Sequence, residues 1–264
     1  DKAGDKLSNV TLDVYNADTD QKFGTINIQD GFGELKYLPI GKWYAVETSK
    51  NDYYVFPENN RFDFEITEKG QTVILDIEND VVNLKIDVEK TGTVECKPGE
   101  DIEYDFVIQN KSNDAVNNFV WGDILPSEVR IQKLYTGTFN QENSYKVEYI
   151  TNNTSNWKTV GTYNTTTNNE IILDSETLGL ADGEYVEEIR FVFENEVQKG
   201  FKNDGTKIIT KANEDLKNNQ IIENHTYLTA DYLQTKLEDK DVFHTIIRIP
   251  EKTSLTGVLP RTGK

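Results

Sequence analysis

Lys90 closes the run LKIDVEK, and in an extended chain it shares a face with Leu84, Ile86 and Val88, opposite Lys85, Asp87 and Glu89. A lysine on an apolar face calls for a reason. Burial lowers the pKa of an amine, and a neutral amine is a nucleophile. The other side chains able to do chemistry are few. Cys96 is single, which rules out an internal disulfide, and with no histidine and acid clustered beside it in sequence it reads as a semi-buried strand residue. His225 and His244 are the only histidines, and H-E-x-x-H, G-x-S-x-G and a glycine-rich phosphate loop are all missing. Asn16, Asp18 and Asp20 in NADTDQKFG alternate oxygens as a calcium loop does, but the glycine and the closing glutamate are misplaced, so the stretch reads as a turn. Trp43, Trp121 and Trp157 read as core or sandwich-edge residues, with Trp157, in a polar loop, the one placed to stack on a sugar. No metal site, no cofactor and no enzyme is expected.

The elements that must position Lys90 are strands. VTLDVYN, RFDFEIT, TVILDIEN, NLKIDVEK, DIEYDFVIQN and EEIRFVFEN alternate with a period of two, and helical periodicity is almost nowhere visible. Turn-forming stretches separate them: NADTD, QDGFG, EKGQ, KPGED, NKSND, TNNTSN, NTTTNN and LADGE. ITKANEDLKNNQ fits a short helix or a long loop equally well. The pattern predicts an all-β chain of two tandem Ig-like, Greek-key β-sandwich domains, over 1–83 and 84–248, with an extended tail over 249–264 where alternation stops.

The chain has 264 residues and a formal net charge of -18. Acidic residues are spread along its whole length, so they form a solvated surface that repels phosphate backbones and anionic lipid heads; no nucleic-acid or membrane-surface partner is expected. No apolar run is long enough to span a bilayer. Met is absent and no charged-then-apolar signal peptide stands at Asp1, so the chain is expected to be an excised piece of a longer precursor.

Leu259, Pro260, Arg261, Thr262 and Gly263 spell LPRTG, which resembles the sortase sorting signal of Gram-positive cell-wall-anchored surface proteins. The resemblance implies that a sortase cysteine attacks the Thr262 carbonyl, Gly263 leaves, and the acyl group passes to an amine of peptidoglycan or of a pilin subunit. In that family a membrane helix follows the signal; contact with the membrane is expected only through such a precursor helix, absent from this sequence.

KLSNVTLDVYN followed by GELKYLPIGKWYAVETSKNDYYV is similar to the Cna B-type domain of bacterial adhesins and pilins, with Leu38, Pro39, Gly41, Tyr44, Glu47 and Thr48 in place and SKNDYY departing from the pattern. Many such domains form an isopeptide bond between a first-strand lysine and a last-strand asparagine, assisted by a glutamate. The resemblance assigns Glu47 and Asn79 here, and puts the lysine upstream of Asp1, since Lys2 and Lys6 fall in the loop.

The second domain resembles another family of Gram-positive surface β-sandwiches. LKIDVEKTGTVECKPGEDIEYDFVIQNKSNDAVNNFVWGDILPSEV matches the opening of those repeats, and IIENHTYLTADY their closing strand. In relatives that crosslink, the lysine is on the first strand, the asparagine on the last and an aspartate between. The matching positions are Lys90, Asn224 and Asp123, with Asp105 as the alternative acid. A structural role at the cell surface is therefore expected: an extracellular, wall-anchored pilin, anchoring or basal rather than shaft, or an adhesin stalk. The alternative is an adhesin module binding a host matrix protein or glycan through the Asn/Thr-rich insert from Gln141 to Asn169.

Overall fold

The computed structural model describes residues 4–250. The LPRTG stretch, Leu259 to Gly263, and Lys2 lie outside the described residues. The chain divides into two compact units, one reaching to Leu84 and including Ser112–Asp114, the other made of Lys85–Lys111 and the residues from Ala115 onward.

The first unit contains β1 (Val10–Asn16), β2 (Lys22–Ile28), β3 (Gly41–Ser49), β4 (Tyr54–Val55), β5 (Arg61–Ile66) and β6 (Asp80–Val81). An antiparallel sheet runs in the order β2-β1-β3-β5, and β4 pairs with β6. Alternation along β1 sends Val10, Leu12 and Val14 into the core beside Leu7, Trp43 and Ala45. TVILDIEN, predicted as a strand, forms none: residues 71–79 have no ladder. Val73, Leu75 and Ile77 still pack against the core. Alternation records which side chains are buried, whereas a strand also needs a backbone partner, and this segment has the first without the second.

The second unit contains β7 (Ile86–Gly92), β8 (Glu95–Cys96), β9 (Asp101–Asn110), β10 (Asn117–Ile124), β11 (Val129–Tyr135), β12 (Thr138–Phe139), β13 (Ser144–Thr151), β14 (Thr154–Asn164), β15 (Glu170–Ile172), α1 (Ser175–Leu178), β16 (Val186–Phe193), β17 (Asn203–Asp204), β18 (Thr206–Ala212), β19 (Ile221–Tyr232) and β20 (Thr235–Ile247). Two large sheets run in the orders β14-β13-β16-β10-β19-β20-β8 and β15-β11-β18-β9-β7, and the short pair β12-β17 completes the unit. Pairing is antiparallel except between β20 and β8. The single core cluster takes side chains from both large sheets, and Trp121 sits in it with the Phe106 and Phe191 rings at 4.8 and 4.7 Å.

Several expectations change here. ITKANEDLKNNQ holds no helix; it is the end of β18 followed by turns. The single-turn α1, capped by Asp174 and by Gly179 at φ 63°, is too short to leave a periodic signal in the sequence. The Asn/Thr-rich insert is mostly the β13–β14 hairpin rather than a loop. Trp157 stands on β14, and the Arg190 guanidinium, held to Glu148 by bonds of 2.9 and 2.7 Å, lies 3.6 Å from its ring. Arginine thus occupies a face that a sugar would need. The closing strand of the unit is β20, so IIENHTYLTADY, expected to close it, is the strand before.

Candidate functional site

The inner faces of the second unit bring three predicted residues into one buried place. Lys90, on β7, is 4% exposed, and Asp123 on β10 and Asn224 on β19 are 0% exposed. β7 pairs with β9 so that Lys90 faces Phe106 and Gly92 faces Tyr104. The Lys90 ammonium nitrogen sits 4.6 Å from the Tyr104 ring centre and 5.0 Å from that of Phe106. From there it donates to Asp123 Oδ2. β10 pairs with β19 in a register that puts Asp123 opposite Thr226, so Asn224, two residues along, is its diagonal neighbour on the same face. Thr226 Oγ1 donates to the Gly122 carbonyl at 2.8 Å and accepts from Trp121 Nε1 at 3.0 Å, which fixes the register locally. Gly122 has no room for a side chain, because the Tyr227 ring lies over it.

Burial dominates the electrostatics. It pushes the Lys90 amine below the ordinary lysine range, and Asp123 opposes this only in part. It pushes the Asp123 carboxyl above the carboxylate range, against the pull of Lys90. Both directions favour the neutral pair, with a proton on the acid and a free lone pair on the amine. The polar inventory is incomplete: Asp123 Oδ1, both polar atoms of the Asn224 amide and the Tyr104 hydroxyl are buried without a completed hydrogen bond. A buried amide left in this state costs about 1–3 kcal/mol per unsatisfied group.

Backbone positioning comes from residues that sequence reasoning missed. β7 is an edge strand, and its amides at Val88 and Lys90 donate to Asp239 Oδ2 at 2.8 Å and Asp241 Oδ2 at 2.7 Å, both from β20. The signal is present in LEDKDVF: the two aspartates share parity with Leu237 and Phe243, which pack against the core. Asp105, the alternative acid, is placed elsewhere. It is half exposed and lies 3.5 Å from Lys207, while its register partner on β7 is Thr91. The parity that carries Tyr104 and Phe106 inward carries Asp105 out.

The first unit places Glu47 and Asn79 together. Asn79 Nδ2 donates to Glu47 Oε1 at 2.7 Å, and Asn79 and Glu47 are 0% and 2% exposed respectively. Glu47 Oε2 and Asn79 Oδ1 complete no hydrogen bond. Burial raises the Glu47 carboxyl, against the hydrogen bond from Asn79. Asn60, not singled out in the sequence, accepts from the Glu47 amide at 3.1 Å and donates to its carbonyl at 2.8 Å, extending the β3–β5 ladder by one side chain. Lys6 is exposed. The calcium-like stretch is a turn around Asn16, whose Oδ1 accepts from the Asp18 and Thr19 amides at 3.0 Å each. Cys96 is buried, and burial raises its thiol, so it stays protonated and unreactive. Among the described residues, no helix is long and apolar enough to cross a membrane.

Comparison with known proteins follows the same division. Residues 1–81 match the model of the SpaA prealbumin-like fold domain. Among solved structures, the chain is similar to BcpA, the major pilin subunit of Bacillus cereus, at 12% identity and a TM-score of 0.37, over 91% of this chain and 65% of that one. It is similar also to the full-length major pilin SpaD of Corynebacterium diphtheriae, at 13% identity and a TM-score of 0.33, over 93% and 61%. A third is the 35 kDa C-terminal fragment of the major pilin GBS80 of Streptococcus agalactiae, at 12% identity and a TM-score of 0.30, over 64% and 56%. The match spans less than two thirds of the length of each of these pilins. No curated protein matches. The first unit is thus similar to the prealbumin-like fold domain over residues 1–81.

Proposed function

We propose that this chain is a structural protein of the Gram-positive cell surface, stiffened by an intramolecular isopeptide bond between Lys90 and Asn224. The observation that carries the reading is the buried Lys90–Asp123 pair beside an Asn224 amide with no hydrogen-bond partner. In the neutral pair, the Lys90 nitrogen attacks Asn224 Cγ and a Nζ–Cγ bond forms. Asp123 takes a proton from Nζ and gives one to Nδ2, the Cγ–Nδ2 bond breaks, and ammonia leaves. Asp123 ends as it began, the reaction runs once, and no cofactor enters. The unpartnered Nδ2 is the atom that departs.

The product ties β7 to β19, strands from two different sheets, so that tension passes along covalent bonds instead of ladder hydrogen bonds. It also closes a loop of more than a hundred residues, worth about 5 kcal/mol in the chain-entropy model, by analogy with a disulfide. In the first unit we propose the same chemistry for Glu47 and Asn79, with the lysine supplied from upstream of Asp1. Attachment to peptidoglycan or to a pilin subunit would run through Thr262 as a sortase substrate.

The test is a protease digest of the purified chain followed by tandem mass spectrometry. The expected result is a branched peptide joining the Lys90 and Asn224 segments, absent from Lys90→Ala. Recovery of both segments as separate linear peptides from the unsubstituted protein would rule the bond out.

A further inference from the structure

The Tyr104 hydroxyl is the one polar group at this site that the proposed chemistry leaves without work. It is completely buried, on the β9 position that faces Gly92 across the β7 pair, and its ring flanks the Lys90 nitrogen. It lies beside Thr245 and Asn224 and completes a hydrogen bond with neither. Thr245 gives its own hydroxyl proton to the Thr93 carbonyl at 2.7 Å, so toward Tyr104 it offers lone pairs alone, and no bond between the two hydroxyls is completed. Asn224 Oδ1 is an acceptor with nothing donating to it. A buried donor without an acceptor thus adjoins a buried acceptor without a donor.

We propose that the Tyr104 hydroxyl donates to Asn224 Oδ1 and holds the oxyanion of the crosslinking reaction while Asp123 carries the proton; this rests on the Lys90–Asn224 reading above. As Nζ adds to Cγ, the carbonyl electron pair moves onto Oδ1. That oxygen then needs donors at the moment when Asp123 is engaged in carrying a proton from Nζ to Nδ2. Tyr104 supplies one without transferring its proton, and the pair returns to the carbonyl as Cγ–Nδ2 breaks. The hydroxyl suits the task because burial holds its pKa far above neutrality, so that it remains a donor. Fixed donors aimed at a developing oxyanion in a dry site are the largest single contribution in many acyl transfers. Tyr104 would therefore be a catalytic residue, touching the reacting carbonyl.

The experiment follows the loss of ammonia by intact mass in the full chain, sampled at intervals after a short pulse of synthesis, for the unsubstituted protein, Tyr104→Phe and Thr245→Val. We expect Tyr104→Phe to lose ammonia about 100-fold more slowly and Thr245→Val to keep the parental rate. Tyr104→Phe placed on an Asn224→Ala background should melt with Asn224→Ala alone, which excludes a folding fault. Three results would overturn the role: Tyr104→Phe crosslinked as early as the parent, Thr245→Val slowed as much as Tyr104→Phe, or the double variant melting far below Asn224→Ala. If the unsubstituted chain never loses ammonia, the crosslink itself fails and the role of Tyr104 falls with it.

Discussion

The two units bury the same kind of pair, an acid beside an asparagine, in different company. In the second unit Asp123 faces a buried lysine, and the Asn224 amide is left without hydrogen bonds. In the first, Glu47 already holds Asn79 through a hydrogen bond of 2.7 Å. There the acid and the asparagine satisfy one polar atom each, and Glu47 Oε2 and Asn79 Oδ1 remain without a hydrogen bond. In the second unit a desolvated amine takes up the acid, and the amide completes no hydrogen bond. The difference lies in the third residue: where a lysine is buried beside the acid, burial shifts amine and acid toward their neutral forms together, the state the proposed crosslink requires.

The sharpest way to break the comparison is Asp123→Ala. It should abolish ammonia loss and leave the Lys90 amine buried without a partner, a change worth about 1–3 kcal/mol beyond the lost crosslink. In thermal melts it should therefore fall below Asn224→Ala, which loses only the bond and a small amide. Equal melting of the two would mean that the Lys90–Asp123 contact adds no stability beyond the crosslink.

Next in size is Asn79→Ala. It leaves Glu47 buried without its donor and should lower the stability of the first unit by about 1–3 kcal/mol, while the ammonia lost by the chain stays at one. A change in ammonia loss would place a reactive amine in the first unit of this chain.

Glu47 also gives the comparison a pH axis. Its folded pKa is raised by burial, so the folded unit holds the proton more tightly than the unfolded chain does. The stabilisation is present below the unfolded value and is lost as pH rises through the folded one. The urea midpoint of the first unit should fall as pH rises above the ordinary carboxylate range and flatten in Glu47→Gln. A midpoint that climbs instead would contradict the assignment. The smallest effect is expected from Asp241→Ala, which removes one carboxylate from the β7 edge. A loss of about 1 kcal/mol, with slower crosslinking, would mark Asp241 as holding Lys90 in place; unchanged kinetics would confine it to the edge.

Much of the site is legible in the residues. The parity of LKIDVEK by itself puts Lys90 inside, and the same parity rule, applied to DIEYDFVIQN, removes Asp105 and points to Tyr104 and Phe106. What alternation does not carry is pairing. TVILDIEN alternates and packs but has no backbone partner, and nothing local distinguishes it from RFDFEIT, which forms β5. The aspartates of β20 share parity with Leu237 and Phe243, which marks their face, but an acid in a polar run reads as solvated, and the amides of β7 that their oxygens meet belong to a distant strand. Trp157 has polar neighbours in sequence, whereas its partner Arg190 is far away along the chain and reaches it through the β13–β16 pairing.

The central claim is that Lys90 and Asn224 become one covalent unit, and the intact mass of the purified, unsubstituted chain tests it most directly. The account predicts a mass below that of the sequence by one ammonia, restored to the full sequence-derived value in Lys90→Ala. A mass equal to that of the sequence in the unsubstituted protein would contradict it, and would return Lys90, Asp123 and Asn224 to the standing of an ordinary buried ion pair and its neighbour.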